Sequence, residues 1–322
     1  MKMKTSLSSS RDAGNKQSRE ENLNYYRHLN IPGGDLRVSI TAECNMRCTY
    51  CHNEGQGDFR ADFMSLETLK SIVKMGLRHG INKVRLTGGE PLMHPQVFEM
   101  IKMLKSELIM RNVGVNTNGV TLTPQRIQKL IDAGLDVAVV GLDYFNADVS
   151  KDSPSGKSSD KILGHILTAK KMGLNTQIAT VYSNSDPLNI IRMAEWCNDN
   201  NILLKVLEVS NDSIVSTTSA EFLQIIELMR MTFGLRLGKT VSLNETYGVH
   251  GSGNKVLFFH SHCRTRECHE CSQMHMRVTT KGNAKPCILR TDTEYSLVSG
   301  DVDHAMRRAI HNLGNPPENP PK

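Results

Sequence analysis

Three cysteines near the start of the chain are the residues best suited to carry chemistry. Cys44, Cys48 and Cys51 stand in the stretch C-N-M-R-C-T-Y-C, with three residues in the first gap and two in the second. Cysteine thiolates are the usual ligands of iron–sulfur clusters. Three thiolates in one loop suit three irons of a cubane [4Fe–4S] cluster, and the sequence has no fourth cysteine nearby. The spacing therefore predicts a cluster with one iron open to another ligand.

The same triplet has two simpler explanations, a zinc site and buried thiols without a role. A structural zinc site usually closes a tetrahedron with pairs of ligands, and this triplet lacks a local fourth. His52 directly follows Cys51, and an adjacent residue rarely turns back onto the same metal. The spacing favours the iron–sulfur cluster.

A second set of cysteines lies near the other end of the chain. Its pattern is Cys263-x4-Cys268-x2-Cys271-x15-Cys287. It predicts an auxiliary iron–sulfur cluster held by three or four of these residues. A zinc knuckle is the alternative, because four-cysteine zinc sites are common. Cys197 stands alone on an apolar helical pattern and is expected to be a buried thiol.

A glycine-rich turn follows the second predicted strand. Gly88, Gly89, Glu90 and Pro91 leave two positions without side chains, so backbone groups there can approach a ligand closely. The carboxylate of Glu90 can accept a hydrogen bond from an ammonium group. An ordinary strand-to-helix turn would explain the same residues.

The composition is that of an ordinary soluble globular protein. The 322 residues are 39% hydrophobic and 22% charged, and the formal net charge is +6. The sequence contains no secretory signal and no apolar run long enough to span a membrane, so we expect a cytoplasmic protein without a membrane partner. Eight cysteines then favour metal binding over disulfides. No basic tract with interleaved aromatics indicates a nucleic-acid partner.

Six strand–helix units follow one another in the hydrophobic pattern. Such an alternation predicts a parallel sheet with right-handed crossovers, here an α/β fold with an open, partial (β/α)6 TIM-like barrel. Ligands of such folds gather at the carboxyl ends of the strands, where the cysteine loop and the glycine turn both fall. The predicted strands are 35–41, 83–86, 113–116, 136–142, 176–182 and 203–209, and the predicted helices start near 65, 96, 123, 160, 187 and 220.

The repeat stops after Phe233, and the predicted domains follow from that change. Residues 240–300 are richer in Gly, His and Cys, which favours a small C-terminal iron–sulfur domain. We predict a disordered tail at 1–22, the barrel at 23–235, the auxiliary iron–sulfur domain at 236–311 and a disordered tail at 312–322.

Several stretches together resemble the radical SAM (S-adenosyl-L-methionine) superfamily, and within it the molybdenum-cofactor GTP cyclases (MoaA-like). The resemblance covers roughly residues 35–290 and extends to a SPASM/twitch-like auxiliary-cluster domain. The matching stretches are L-R-V-S-I-T-x-x-C-N-M-R-C-T-Y-C, V-R-L-T-G-G-E-P-L, N-T-N-G, D-A-G-L-D, G-S-G-N-K-V-L-F-F-H-S-H and R-V-T-T-K-G-N-A-K-P-C-I-L.

The resemblance implies two [4Fe–4S] clusters, SAM, and a reductant such as flavodoxin or ferredoxin. In the superfamily, SAM binds the open iron and is cleaved to a 5′-deoxyadenosyl radical that abstracts hydrogen from a substrate, so the cofactor carries the hard chemistry. The implied ligands are Cys44, Cys48 and Cys51 for the SAM cluster, and Cys268, Cys271 and Cys287, with Cys263 as an extra candidate, for the auxiliary cluster. The implied cofactor contacts are Tyr50, Gly88, Gly89, Glu90, Asn116, Gly141 and Lys205. The implied substrate contacts are Arg37, Arg85 and Gln177.

The chain also departs from the family pattern at positions that contact ligands. Gln177 replaces a basic residue, Gly141 a serine and Asn116 a threonine. Lys205 replaces an arginine and loses its planar fork. The C-terminal Gly-Gly that the family needs for cyclisation is absent from a tail that ends N-P-P-K. These departures predict a divergent paralogue of the GTP cyclases.

We therefore predict a radical SAM enzyme that acts on a polar small molecule near an auxiliary cluster. The first substrate class is a nucleoside, a nucleotide sugar or a natural-product intermediate. Three alternatives stay open: modification of a ribosomal peptide, GTP 3′,8-cyclisation in molybdenum cofactor biosynthesis, and a non-enzymatic iron–sulfur or zinc protein.

Overall fold

A computed structural model describes most of the chain between residues 36 and 312. The described residues are 36–48, 51, 54, 62–143, 145, 159–182, 187–208, 219–239, 245–251, 253–260, 276–286 and 294–312. The helices among them are α1 (Leu66–Arg78), α2 (Val97–Lys102), α3 (Pro124–Asp132), α4 (Ser159–Lys171), α5 (Pro187–Asp199), α6 (Ser219–Phe233) and α7 (Val302–His311).

The strands of the described residues form one mixed sheet. Its order is β12-β11-β10-β1-β2-β3-β4-β5-β6-β9-β8-β7. The strands are β1 (Leu36–Thr41), β2 (Lys83–Gly88), β3 (Asn112–Thr117), β4 (Val137–Gly141), β5 (Thr176–Tyr182), β6 (Leu203–Glu208), β7 (Arg236–Lys239), β8 (Glu245–Val249), β9 (Lys255–Phe259), β10 (Met276–Val278), β11 (Asn283–Lys285) and β12 (Tyr295–Ser296).

Strands β1 to β6 pair in parallel and in chain order, and a helix follows each of them. This arrangement confirms the predicted series of six strand–helix units. The helix starts also agree with the sequence: the hydroxyl of Ser65 accepts from the backbone N–H of Thr68 before α1, and Thr123 caps α3 just before Pro124.

The second predicted helix differs in detail from the expected single helix. Helix α2 ends at Lys102, and the chain continues as a π-helical turn over Met103–Glu107. Lys105 lies within this turn and binds the carboxylate of Asp136 at 2.8 Å, at the start of β4. A π turn adds one residue per turn, which the apolar periodicity of the sequence does not reveal.

The two faces of the sheet differ in chemistry. Alternate residues of β1 point to opposite sides: Leu36, Val38 and Ile40 are buried in the core beneath the helices. The intervening residues of β1, Arg37 and Ser39, lie on the face of the sheet that points away from the helices. We call it the polar face. No helix of the described residues is long and apolar enough to cross a membrane.

The sheet continues beyond the six units at both edges. Strand β9 pairs in parallel with β6, and β10 pairs in parallel with β1. These strands belong to the predicted C-terminal domain, whose boundary stays a prediction. All four of its candidate cluster ligands, Cys263, Cys268, Cys271 and Cys287, lie outside the described residues.

Candidate active site

The glycine turn lies directly against the cysteine loop. The backbone N–H groups of Gly89 and Glu90 donate to the carbonyls of Thr41 (2.8 Å) and Glu43 (2.7 Å). Gly88 has a φ of +132°, and a Cβ there would lie 2.0 Å from the carbonyl oxygen of Thr41. A Cβ at Gly89 would lie 2.1 Å from the carbonyl oxygen of Glu43. Glycine is therefore required at both positions for the two loops to meet.

Glu90 connects the glycine turn to the end of β3. Its side chain is only 1% exposed. The carboxylate accepts from the Thr117 hydroxyl (2.7 Å) and from the backbone N–H groups of Asn118 (2.6 Å) and Leu92 (3.0 Å). The Asn118 side chain in turn donates to the side-chain oxygen of Asn45 at 2.6 Å. One buried carboxylate thus ties the N-T-N-G turn to the cysteine loop.

The three loop cysteines differ in their exposure to solvent. Cys44 and Cys51 are exposed and Cys48 is half-buried. Burial raises the pKa of the Cys44 thiol, and the negative charges of Glu90 and Cys51 act in the same direction. Cluster binding would remove the proton, because a thiolate is the metal ligand.

Three thiols in one loop are the kind of ligand that a cubane iron–sulfur cluster uses. Within the described residues no group of three or more His, Cys, Asp or Glu side chains could hold one metal ion. The thiolates of a cubane bind three different irons and so do not converge on one point. Gly88 and Gly89 bring the glycine turn against the backbone of the loop that carries these thiols.

A row of four basic side chains crosses the polar face. Arg37 on β1 pairs with Arg85 on β2 and with Arg277 on β10, and Arg277 pairs with Lys285 on β11. Directly paired residues point to the same side of a sheet. We call these four residues the basic row. Arg277 and Lys285 are buried, and burying cations is costly unless they are paired.

Carboxylates pair with one half of the basic row. The Nε of Arg277 donates to Glu54 at 3.0 Å, and Lys285 binds Glu294 at 3.2 Å. Glu54 also accepts from the Thr87 hydroxyl at 2.8 Å and lies 3.9 Å from the guanidinium of Arg37.

Arg85 and Arg37, the other half of the row, have fewer close contacts with carboxylates among the described residues. Arg85 donates to the side-chain oxygen of Asn112 at 2.6 Å and to the Val84 carbonyl at 3.1 Å. Gly114 makes room for Arg85, since a Cβ there would lie 2.9 Å from its Cδ. The Nε of Arg37 is buried and has no hydrogen-bond partner within the described part of the chain. This Nε could therefore donate to an oxygen of a bound ligand.

The remaining sequence-predicted contacts share the polar face. Asn116 on β3 and Gln177 on β5 both pair with Val139, which lies between them on β4. Gly141 on β4 and Lys205 on β6 both pair with Ala179 on β5. The sheet thus brings all of them to the side that carries Arg37 and Arg85. Tyr50 lies outside the described residues.

Three residues of the site were missed by the sequence reasoning. Arg277 and Lys285 lie in a stretch that already matches the family. A β-hairpin that turns near Gly282 would have placed the two residues opposite each other. No sequence pattern indicated that Glu54 belongs to the site. It lies in a loop with a left-handed backbone (φ 51°), and no strand or helix period places it.

Comparison with known proteins now identifies the family. Residues 38–197 match the radical SAM superfamily. A probable GTP 3′,8-cyclase of Methanococcus aeolicus is 30% identical over 263 residues, which are 80% of this chain and 86% of that protein. A probable GTP 3′,8-cyclase of Methanococcus maripaludis strain C5 is 29% identical over 267 residues, 82% and 88% of the two chains.

Solved structures share the fold. Streptococcus suis SuiB, bound to the precursor peptide SuiA, has a TM-score of 0.68 at 14% identity, covering 98% of this chain and 73% of that one. The anSMEcpe structure with bound AdoMet has a TM-score of 0.60 at 15% identity, covering 87% and 81%.

The sheet, the cysteine loop and the glycine turn define a SAM-dependent iron–sulfur enzyme with a partial barrel. The chain belongs to the radical SAM superfamily and, within it, to the MoaA-like family of GTP 3′,8-cyclases. The predicted α/β fold with a partial barrel, the enzyme class, SAM and an iron–sulfur cluster are thereby confirmed, whereas the auxiliary cluster and its domain stay predictions.

Proposed function

We propose that the enzyme acts on a polar small molecule whose anionic group binds to the basic row. The observation that carries this proposal is the buried, unsatisfied Nε of Arg37 beside Arg85 on the polar face. A guanidinium prefers carboxylate or phosphate oxygens as partners. A nucleoside derivative, a nucleotide sugar or a natural-product intermediate would provide such a group.

The residues divide the work between cofactor and substrate. Cys44, Cys48 and Cys51 would hold the cluster, and the backbone at Gly88 and Gly89 would accommodate SAM beside it. The bound cluster and SAM supply a 5′-deoxyadenosyl radical that takes a hydrogen atom from the substrate. The polar face would fix the orientation of the substrate, so that a single hydrogen is presented.

The proposed function also includes a second iron–sulfur cluster and an electron donor. We assign an auxiliary [4Fe–4S] cluster to Cys268, Cys271 and Cys287, with Cys263 as a fourth candidate ligand, and a flavodoxin or ferredoxin as the electron donor. Iron and sulfide near eight per chain after reconstitution would support two clusters, whereas values near four would exclude the second. Stoichiometric zinc would instead favour the zinc knuckle.

GTP 3′,8-cyclisation is the second candidate, and the names of the curated relatives favour it. Against it stand Gln177 and Lys205, which replace a basic residue and an arginine of the family on the polar face. We therefore place a divergent paralogue first. Modification of a peptide is the third candidate, since Streptococcus suis SuiB, which has the same fold, is bound to a precursor peptide in its structure.

One experiment separates these functions. The protein is reconstituted anaerobically, reduced with dithionite and given SAM, and 5′-deoxyadenosine is measured with and without GTP. Unchanged release with GTP, and faster release with another anionic small molecule, is the expected result. Faster release with a cyclised GTP product would establish the second candidate, and no 5′-deoxyadenosine under any condition would contradict the enzyme itself.

A further inference from the structure

We propose that Glu54 determines the charge selectivity of the substrate site. Its carboxylate occupies part of the basic row, so the row favours a compact anion, a carboxylate or a single phosphate, over a polyphosphate. This inference rests on the proposed function, because it assumes that the row binds the anionic group of the substrate.

Glu54 contacts the row as a bound anion would. Its carboxylate accepts from the Arg277 Nε at 3.0 Å and from the Thr87 hydroxyl at 2.8 Å, and it lies 3.9 Å from Arg37. The residue comes from the cysteine loop, three positions after Cys51, and is 7% exposed. Its φ of 51° is unusual for a residue other than glycine. Glu54 thus contacts the row from a backbone conformation that is costly for a glutamate.

The charge of the row bears on which ligand it can bind. Counted over the described residues alone, the four cations of the row and the two carboxylates that contact them have a formal net charge of +2; the carboxylates are those of Glu54 and Glu294. A single phosphate carries about two negative charges at neutral pH and balances this value.

A polyphosphate would bring more negative charge next to Glu54. The side chain of Glu54 is only 8% exposed, so the repulsion between Glu54 and each added charge is screened weakly. Glu54 therefore penalises each phosphate beyond the first.

The test measures anion binding to the reconstituted enzyme with SAM present. Orthophosphate, pyrophosphate and tripolyphosphate are titrated calorimetrically against the wild type and Glu54→Gln, which keeps the hydrogen-bonding shape and removes the charge. We expect Glu54→Gln to shift the ratio of tripolyphosphate to orthophosphate affinity by at least about tenfold toward tripolyphosphate. Glu107→Gln is the matched control, because it removes the same charge from an exposed ion pair with Lys70 (2.7 Å).

Two further variants keep the test decisive. Arg277→Gln removes one cation and should shift the ratio in the opposite direction, and it replaces Glu54→Gln if that variant does not fold. The double variant Glu54→Gln/Arg277→Gln restores the net charge and should return the ratio toward the wild-type value.

Two results would overturn the inference in different ways. An unchanged ratio in folded Glu54→Gln contradicts the role of Glu54 and leaves the proposed function intact. No binding of any of the three anions to the wild type contradicts the anion site of the proposed function itself, independently of 5′-deoxyadenosine release.

Discussion

At the scale of single residues, Glu90 has a structural role that its motif did not indicate. The sequence assigns its carboxylate to a ligand ammonium. In the structure the carboxylate accepts from Thr117, Asn118 and Leu92. It therefore holds the loops that surround the cofactor, and a direct contact with SAM stays a prediction.

Glu90→Gln should lower the free energy of unfolding by about 1–3 kcal/mol. The amide NH2 of glutamine would face a donor where the carboxylate now accepts, and it cannot satisfy all three hydrogen bonds. Urea denaturation measures the loss, with Glu107→Gln, which is exposed, as the control. A variant as stable as the wild type would show that Glu90 is not the linking residue.

The loop cysteines should differ from Cys197 in cluster assembly. Replacing Cys44, Cys48 or Cys51 by alanine should each reduce bound iron and sulfide after reconstitution, because each removes one thiolate ligand. Cys197→Ala should leave iron unchanged: this thiol is 2% exposed, and burial raises its pKa to about 12. Iron and sulfide analysis with electron paramagnetic resonance measures both. Normal iron in the three loop variants would contradict the ligand assignment.

At the scale of elements, the contact between the ends of β1 and β2 is the feature on which the site depends. Thr41 pairs with Gly88, and the next two residues of the turn bond back to the cysteine loop. Two backbones can approach this closely only where no Cβ intervenes. The cysteine loop and the glycine turn are therefore one structural unit.

Gly89→Ala should disrupt this unit. The added Cβ would lie 2.1 Å from the Glu43 carbonyl oxygen, so the loops must separate, and we expect SAM affinity to fall by at least about tenfold. Equilibrium binding of SAM to the reconstituted enzyme measures it. Gly164→Ala is the control, because a Cβ there meets nothing within 4 Å and a mid-helix alanine should stabilise α4 by about 0.5–1 kcal/mol. Wild-type SAM affinity in Gly89→Ala would refute the close approach.

At the scale of the whole molecule, buried histidines connect distant parts of the fold. His79 at the end of α1 binds Asp303 on α7 at 2.8 Å. His94 accepts from the backbone N–H of Gln96 (3.1 Å) and, through its other nitrogen, bonds to the Met64 carbonyl (2.9 Å). Burial lowers the pKa of His79, His94 and His250. All three therefore favour the neutral form in the folded state.

Stability should fall as the pH drops below 6.5, the ordinary histidine pKa. Below this pH the unfolded chain binds more protons than the folded one, so the free energy of unfolding decreases as the pH falls. Above pH 6.5 the neutral histidines make their full contribution to stability. Urea denaturation at about pH 7.5 and about pH 5.5 measures the change. His94→Gln should weaken the pH dependence, whereas His304→Gln, at an exposed position, should not. Equal stability at both pH values would contradict the prediction.

Much of the barrel could be predicted because its signals are local. Helix caps such as Ser65 and Thr123 act on the next turn, and the apolar periods of β1 and α1 depend on neighbouring residues. The attachment of β9 and β10 to the sheet edges could not be predicted this way. β10 pairs with a strand some 240 residues earlier in the chain, and no local pattern encodes such a register.

The sequence by itself determined the order of the six strand–helix units, the cysteine loop, the glycine turn and the family. Each of these depends on residue types at short spacing. The tertiary structure alone decided that Arg277 lies beside Arg37, that Glu54 reaches them from the cysteine loop, and that Glu90 binds the turn after β3. Those contacts follow from the register of the sheet and the path of a loop, which depend on the packing of the whole chain.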